Sequence, residues 1–467
     1  MPAATPWDHL PPLAGLGTLE EAARPGLLVE ACVARLKRFH YAFKRLHGIF
    51  TARITAEPIY ELKMAFSHHA YLCAEHVAAL RTRVGEMREP PLGLDDVPHP
   101  ALEVFFDEIL GNWNTEELVY GAYLVAVPAL DAAIEKYLAE TNPLTDAPSR
   151  RILRFARLEL ADLKAYGEQA FACLLEDEVT GVMRVLTGCL AAAGGLDGAA
   201  PEIDQPVTRF YSKQPYQYDP VPQRDARFTD LWNQGVNPEA FLYDAAFPAR
   251  AKVLMMLYKR LREIDVPEVM AGIITQTPGK PWGYYRDMSR QLWDEARHAM
   301  MGEVGFTALG VDWTACRVTW NWSYRLNTEC TPAERHAVLF FIEQGLMPKT
   351  GKRYEFETAV ASGLPLAATV QDFDWADEVL HAQIGRQWYV PQFGTLQKAL
   401  AYGDQAWSRI LSNWTTVKER GLTAHENWWP AVYAQACAAA GEPPDPAALG
   451  YAMTYEGRRA DLRTVGG

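Results

Sequence analysis

Two copies of one short motif constrain the fold of this chain more than any other feature. The motif Asp-Glu-x-x-His occurs at residues 294–298 and again, 83 residues later, at residues 377–381. Each copy lies within a stretch that has apolar residues at helical spacing, so both are predicted to face the interior of a helical fold. Because positions i and i+3 of a helix lie on nearly the same face, the Glu and His of each copy can bind one metal ion together.

The metal interpretation competes with a simpler one, because a single Glu-x-x-His on an exposed helix is common by chance. Two copies are much harder to explain in that way, since both carry the same preceding Asp and both lie mid-helix among apolar residues. Burial of Glu, Asp and His side chains is costly unless a metal ion or other partners compensate. The sequence therefore favours a metal site.

Four helices are predicted around the motifs, at residues 247–277, 282–308, 332–346 and 365–390. The clearest start is Thr331-Pro332-Ala333-Glu334, which combines an N-cap, a proline at the first helical position and the Glu of a capping box. A short first turn and a long crossover after the second helix are the connectivity of a ferritin-like four-helix bundle.

When such a bundle binds two iron ions, it also needs one carboxylate from each of the two helices without a motif. In the third helix the candidate is Glu343, which lies in an apolar run; the first helix offers Glu263 and Glu268. The turn at residues 278–281 favours Glu263, which is level with the motif Glu of the second helix, whereas Glu268 is about one and a half turns away from that level. The competing interpretation makes Pro267 the start of a new helix and Glu268 the ligand.

On these residues the C-terminal part of the chain resembles the ferritin-like superfamily of carboxylate-bridged non-haem di-iron proteins. The matching residues are Glu263 or Glu268, Glu295, His298, Glu343, Glu378 and His381. The resemblance implies two iron ions, with manganese as an alternative at one or both positions, and catalytic roles for Glu295, His298, Glu378 and His381. It also implies that Asp294 supports His381 and that Asp377 supports His298.

The function that this resemblance implies is activation of O2 to hydroxylate, desaturate or cleave a small organic substrate, with an electron donor as a further partner. Two alternatives stay open: a ferritin-like scaffold that binds metal without turnover, and a metal oxidase without an organic substrate. An open pocket beside the ions would favour the enzyme, and a site closed by bulky side chains would favour the scaffold. A superfamily resemblance does not identify the substrate.

Charge and composition limit the classes of partner and the cellular location that the sequence favours. The net charge of −13 argues against nucleic-acid binding, which needs Lys and Arg side chains to neutralise phosphates. The seven cysteines are scattered and form no C-x-x-C pair, which indicates reduced thiols and a cytoplasmic location. The sequence suggests no signal peptide and no membrane-spanning segment, and a homodimer is left open.

The 467 residues are predicted to be all-α and to form two helical bundles. Residues 1–195 are expected to form a bundle that is ferritin-like in shape without the complete metal motif. Residues 196–225, rich in Gly and Pro, are predicted to be an extended linker or an ordered arm. Residues 226–467 are then the ferritin-like di-iron domain. In the first bundle Cys73 lies where a Glu-x-x-His motif ending at His76 would need Glu.

Overall fold

The computed structural model describes residues 7, 9–87, 93–174, 180–203, 207–233, 235–348, 351–411, 417 and 419–454. Within these residues the chain is helical and contains no β-strand, which confirms the all-α prediction. The helices are labelled α1 to α19 below in chain order.

The chain divides into two units whose bounds differ from the predicted domains. Unit 1 comprises Met1–Phe50 and Leu72–Gln217, and unit 2 comprises Thr51–Tyr71 and Tyr218–Gly467. Residues 51–71 were expected in the first bundle and belong to unit 2. The difference arises because the long helices α2 and α3 each contribute residues to both units, and helical periodicity alone does not tell which bundle each turn contacts.

Unit 1 contains α1 (Leu19–Ala23), most of α2 (Val29–Ala56) and α3 (Tyr60–Glu86), α4 (Pro100–Leu110), α5 (Thr115–Val119), a π-helical segment (Tyr120–Ala126), α6 (Val127–Glu140), α7 (Ala147–Leu174) and α8 (Thr180–Ala192). One run, Thr115–Glu140, is long and apolar enough to cross a membrane, with a mean hydropathy of 1.4. Because 56% of its apolar window is buried inside the protein, it also fits the core helix of a bundle. The absence of a membrane-spanning segment therefore stays a prediction.

Part of the predicted linker is an ordered arm on unit 1. The Glu108 carboxylate accepts hydrogen bonds from the backbone amides of Phe210, Tyr211 and Ser212 at 2.8–3.0 Å. Arg209 adds an ion pair with Asp107 at 2.6 Å. A fully buried Glu that accepts three amide hydrogen bonds fixes the arm, so these residues are not a free connector.

Unit 2 contains α9 (Pro238–Leu242), α10 (Ala249–Arg262), α11 (Asp265–Thr275), α12 (Trp282–Ala308), α13 (Asn321–Glu329), α14 (Pro332–Gly345), α15 (Lys352–Ala361), α16 (Pro365–Trp388), α17 (Leu396–Leu411), α18 (Trp429–Ala440) and α19 (Pro446–Leu449). The predicted helices at 282–308, 332–346 and 365–390 are confirmed as α12, α14 and α16. The predicted helix 247–277 is instead two helices, α10 and α11, with a break at Glu263 and Ile264.

The helices of unit 2 that carry the candidate ligands contact one another in a ring. Both α10 and α11 pack on α12, α12 packs on α16, α16 packs on α14, and α14 packs on α11. The start of α14 has the predicted capping box, in which Thr331 and Glu334 exchange side-chain to backbone hydrogen bonds. The motifs of α12 and α16 are buried inside this helical bundle.

A glycine allows α10 and α12 to approach closely beside the motif of α12. A Cβ atom at Gly302 would lie 2.5 Å from the backbone nitrogen of Leu261 and 2.7 Å from the backbone oxygen of Leu257. No side chain fits at such distances from another backbone, so the two helices can keep this spacing only with glycine. Gly302 is one turn after His298, and the spacing therefore bears on the site.

We expect Gly302→Ala to lower the free energy of unfolding by about 2 kcal/mol, because the new methyl group overpacks the contact. Gly283→Ala on the same helix is the matched control. Its Cβ would meet Trp388 at an ordinary 3.5 Å, so this change should be neutral or slightly stabilising. Urea unfolding followed by circular dichroism measures both, and equal effects would contradict a special role for Gly302.

Candidate metal centre

Two groups of side chains inside unit 2 could each hold a metal ion. The His298 group consists of Glu263, His298, Asp374 and Glu378, and the His381 group consists of Glu295, Glu343 and His381. Within each group the candidate ligand atoms lie within 4.8 Å of one another. All of these residues are buried except Glu263, which is partly exposed.

The two motif glutamates connect the groups. Glu295 Oε2 lies 3.7 Å from Nδ1 of His298, and Glu295 Oε1 lies 3.2 Å from Nδ1 of His381. Glu378 belongs to the His298 group, yet its Oε2 lies 3.6 Å from Nδ1 of His381. Each carboxylate thus faces both histidines, which is the placement that a carboxylate needs to bridge two cations.

The other two glutamates each face one histidine. Glu263 Oε2 lies 3.2 Å from Nδ1 of His298, and Glu343 Oε1 lies 3.9 Å from Nδ1 of His381. Glu343 lies in the last turn of α14, whereas Glu263 lies in the break after α10 with φ −67° and ψ 0°. Glu263 therefore completes the His298 group, and Glu343 completes the His381 group.

The donor atoms of both groups fit a bound cation. Six buried atoms have no hydrogen bond of acceptable geometry, although carboxylate oxygens lie near both ring nitrogens: Glu263 Oε2, Glu295 Oε1, His298 Nδ1, Glu343 Oε2, Glu378 Oε2 and His381 Nδ1. Buried polar atoms are normally paired. Mixed carboxylate and imidazole donors suit iron and manganese as well as zinc, so these closely spaced atoms without well-formed hydrogen bonds point to a metal ion without identifying it.

Two further carboxylates contact the histidine rings on the side opposite the candidate ligands and orient them. Asp377 Oδ2 lies 3.2 Å from Nε2 of His298, and Asp294 Oδ2 lies 3.4 Å from Nε2 of His381. These are the crossed pairs that the resemblance implied, and the pairing is confirmed. Arg297 donates to Asp294 at 2.7 Å and also pairs with Asp377. With each Nε2 facing a carboxylate, Nδ1 is the atom turned toward the candidate ligands.

The electrostatics of the site are set by burial and by its opposing charges. Burial alone would lower the pKa of His298, but the carboxylates of Asp377 and Glu263 raise it to about 10. Burial and the neighbouring Glu378 charge raise the pKa of Glu343 well above its usual range. Because a histidine must be neutral to bind a metal, metal binding at this site is coupled to proton release.

Glu268, the alternative ligand of the predicted first helix, belongs to neither group. Its carboxylate pairs with Lys63 at 2.7 Å and with Arg224 at 3.0 Å, and it accepts a 2.5 Å hydrogen bond from Ser323. A new helix does begin near Pro267, as the competing interpretation required. Nevertheless Glu263, in the break, faces His298, and Glu268 is part of a buried charge network.

Three charged residues at the site were missed by the sequence analysis. Asp374 lies one turn before Glu378 on α16, and Lys352 Nζ lies 2.9 and 3.0 Å from its two oxygens. Arg260 pairs with Asp374 and lies 2.8 Å from Glu263. The i, i+4 spacing of Asp374 and Glu378 is a signal that could have been found, because such residues share a helix face. The sequence holds no comparable signal for Lys352.

A cavity of about 430 Å³ opens beside the candidate ligands. The carboxylates of Glu263, Glu295, Glu343 and Glu378 line one part of it. Its apolar lining comes from α11, α13, α14 and α17 and includes Val269, Leu326, Val338, Leu339 and Leu411. Charged residues line it as well, namely Glu239, Lys259, Arg260, Arg262 and Asp265, so both groups are accessible from a space whose surface is mainly but not wholly apolar.

Comparisons of the chain with protein-family models, with curated proteins and with solved structures found no match. The site is therefore characterised by its own residues, their geometry and their chemistry.

We expect Glu263→Gln to lower the affinity for Mn²⁺ or Fe²⁺ by about tenfold or more, because it removes a charged ligand candidate. Glu268→Gln should leave metal affinity unchanged. It should instead lower the free energy of unfolding by about 3 kcal/mol, because Lys63 and Arg224 lose a buried counter-charge. Equilibrium dialysis and urea unfolding of both variants check this. If Glu268→Gln lowered metal affinity and Glu263→Gln did not, the ligand would be Glu268 and not Glu263.

Proposed function

We propose that unit 2 is a ferritin-like four-helix bundle that binds two iron ions and activates O2 to oxidise a small apolar molecule by hydroxylation, desaturation or cleavage. The observation that carries the proposal is the apolar cavity that ends on four candidate ligands. Ligand pockets are typically concave and mostly apolar, with few convergent polar groups. A bundle that only stored or displayed metal would have no need for such a space.

The donor set supports a redox-active pair of ions. Glu263, Glu295, Glu343, Glu378 and Asp374 carry five negative charges when ionised, and Arg260 and Lys352 offset two of them, so two divalent ions would enter a site with a net negative charge. Iron supplies the one-electron and O2 chemistry that protein side chains lack. An external electron donor has to reduce the ions again after each cycle in which the substrate does not supply all the electrons.

The chain itself contributes orientation and exclusion of water. Asp294 and Asp377 hold the histidines from the side away from the ligands. Val338 and Leu339 line the cavity and are almost fully buried, so an apolar substrate that packs against them lies next to the carboxylates and displaces water from there. A dry site strengthens the electrostatic interactions inside it and limits side reactions.

Loss of either candidate histidine ligand should abolish O2 consumption. We expect His298→Ala and His381→Ala, reconstituted with Fe²⁺ and reduced without air, to consume O2 at less than about a hundredth of the wild-type rate, since one ion loses its nitrogen ligand. His336→Ala is the control, because His336 is buried in α14 and belongs to neither group. An oxygen electrode measures the rate. If His298→Ala consumed O2 at the wild-type rate, this result would rule out a di-iron site and favour the scaffold alternative.

Filling the cavity should separate organic oxidation from metal chemistry. We expect Val338→Trp to keep the metal content, while the stimulation of O2 consumption by small apolar compounds falls about tenfold or more, because the ring occupies the substrate space. The matched control is Val253→Trp, which enlarges a buried valine of α10 away from the cavity. Wild-type protein that consumes O2 without stimulation by any apolar compound would instead indicate a metal oxidase.

A further inference from the structure

The helices α12 and α16 carry the same three motif residues at the same spacing. Asp294, Glu295 and His298 on α12 correspond to Asp377, Glu378 and His381 on α16. One turn before each motif glutamate the correspondence ends, because Gln291 on α12 corresponds to Asp374 on α16. Gln291 donates to Glu343 of the His381 group at 3.2 Å.

This difference between the two helices places additional charged residues in the His298 group only. Asp374 lies in the His298 group and brings two buried cations with it, Lys352 and Arg260. Arg260 is three residues before Glu263, and the equivalent position before Glu343 is the apolar Phe340. The His298 group thus carries one extra carboxylate and two extra cations, a surplus of one positive charge over the His381 group.

Lys352 lies among the candidate ligands of the His298 group. Its side chain is 1% exposed, and its ammonium lies 2.8 Å from Glu378 Oε1 as well as 2.9 Å from Asp374 Oδ1. A metal ion that binds these oxygens must displace the ammonium, and it must also enter a group with a less negative net charge. Both effects weaken cation binding, and in a buried site they are screened little by salt.

We propose that the two metal positions are unequal: the His381 group fills first, and Lys352 is a built-in competitor that weakens binding of the second ion at the His298 group. This inference rests on the proposed metal-binding function and adds to it the order of loading. At limiting metal the protein then holds one ion, and the second is exchanged more easily.

The order of loading is tested on the metal-free full-length chain by anaerobic titration with Mn²⁺, with free Mn²⁺ measured by electron paramagnetic resonance. The wild type should show two steps whose dissociation constants differ by about tenfold or more. His298→Ala should lose the weak step and keep the tight one, and His381→Ala should lose the tight step. The reverse pattern, or two equal steps in the wild type, would overturn the proposal and leave the metal site standing. Absence of any binding would overturn both.

The role of Lys352 is tested by Lys352→Met, which should tighten the second step by about tenfold or more without changing the first. Lys252→Met is the matched control, because Lys252 is also buried in unit 2 but donates to the Tyr354 hydroxyl at 3.0 Å. If Lys352→Met does not fold, the double variant with Asp374→Asn removes both charges of the pair. It should bind the second ion about tenfold more tightly than Asp374→Asn alone. An unchanged or weaker second step in the variant that folds would refute competition by Lys352.

Discussion

The constraint on which the rest of unit 2 depends is the concentration of charge inside its helical bundle. Five carboxylates from α12, α14, α16 and the break after α10 lie in the two groups, and only Glu263 is partly exposed. Isolated carboxylates are very costly to bury, and the protein's own cations, Arg260 and Lys352, lie on one side of the cluster. A divalent cation would stabilise these carboxylates in place of the protons that the histidines lose when they bind it.

The contacts of Asp294 and Asp377 with the candidate histidine ligands explain why each motif begins with Asp. On a helix the Glu and the His of the motif point toward the ligand groups, while the preceding Asp faces the neighbouring helix. Asp294 on α12 reaches His381 on α16, and Asp377 reaches back to His298. Arg297 contacts both aspartates. The two motifs therefore fix each other's histidines, and neither helix can rotate without disturbing the candidate ligand of the other.

Sequence reasoning predicted the elements that have local signals. The start of α14 follows from the capping box at Thr331, and the motif residues follow from helical spacing. The crossed aspartates followed from the resemblance. The distance from the turn favours Glu263 over Glu268, although the periodicity predicts one continuous helix.

The features that were missed depend on contacts between distant parts of the chain. Lys352 begins α15, a helix that was not predicted, and nothing near it in sequence indicates that its ammonium reaches α16. The assignment of residues 51–71 to unit 2 is equally non-local, because Lys63 pairs with Glu268 across more than two hundred residues of sequence. Periodicity reports that a residue is buried, and it does not report which partner it meets.

The break between α10 and α11 connects these observations. On one continuous helix, two glutamates five positions apart would point in directions about 140° apart, and both could not be set independently. The break lets α10 follow α12 at the close contact of Gly302, while Lys63 and Arg224 hold α11 through Glu268. Pro267 fits in the first turn of α11, where its missing N–H costs no helical hydrogen bond. Glu263 lies between two helices that are each held separately, and its ion pair with Arg260 at 2.8 Å holds its carboxylate beside His298.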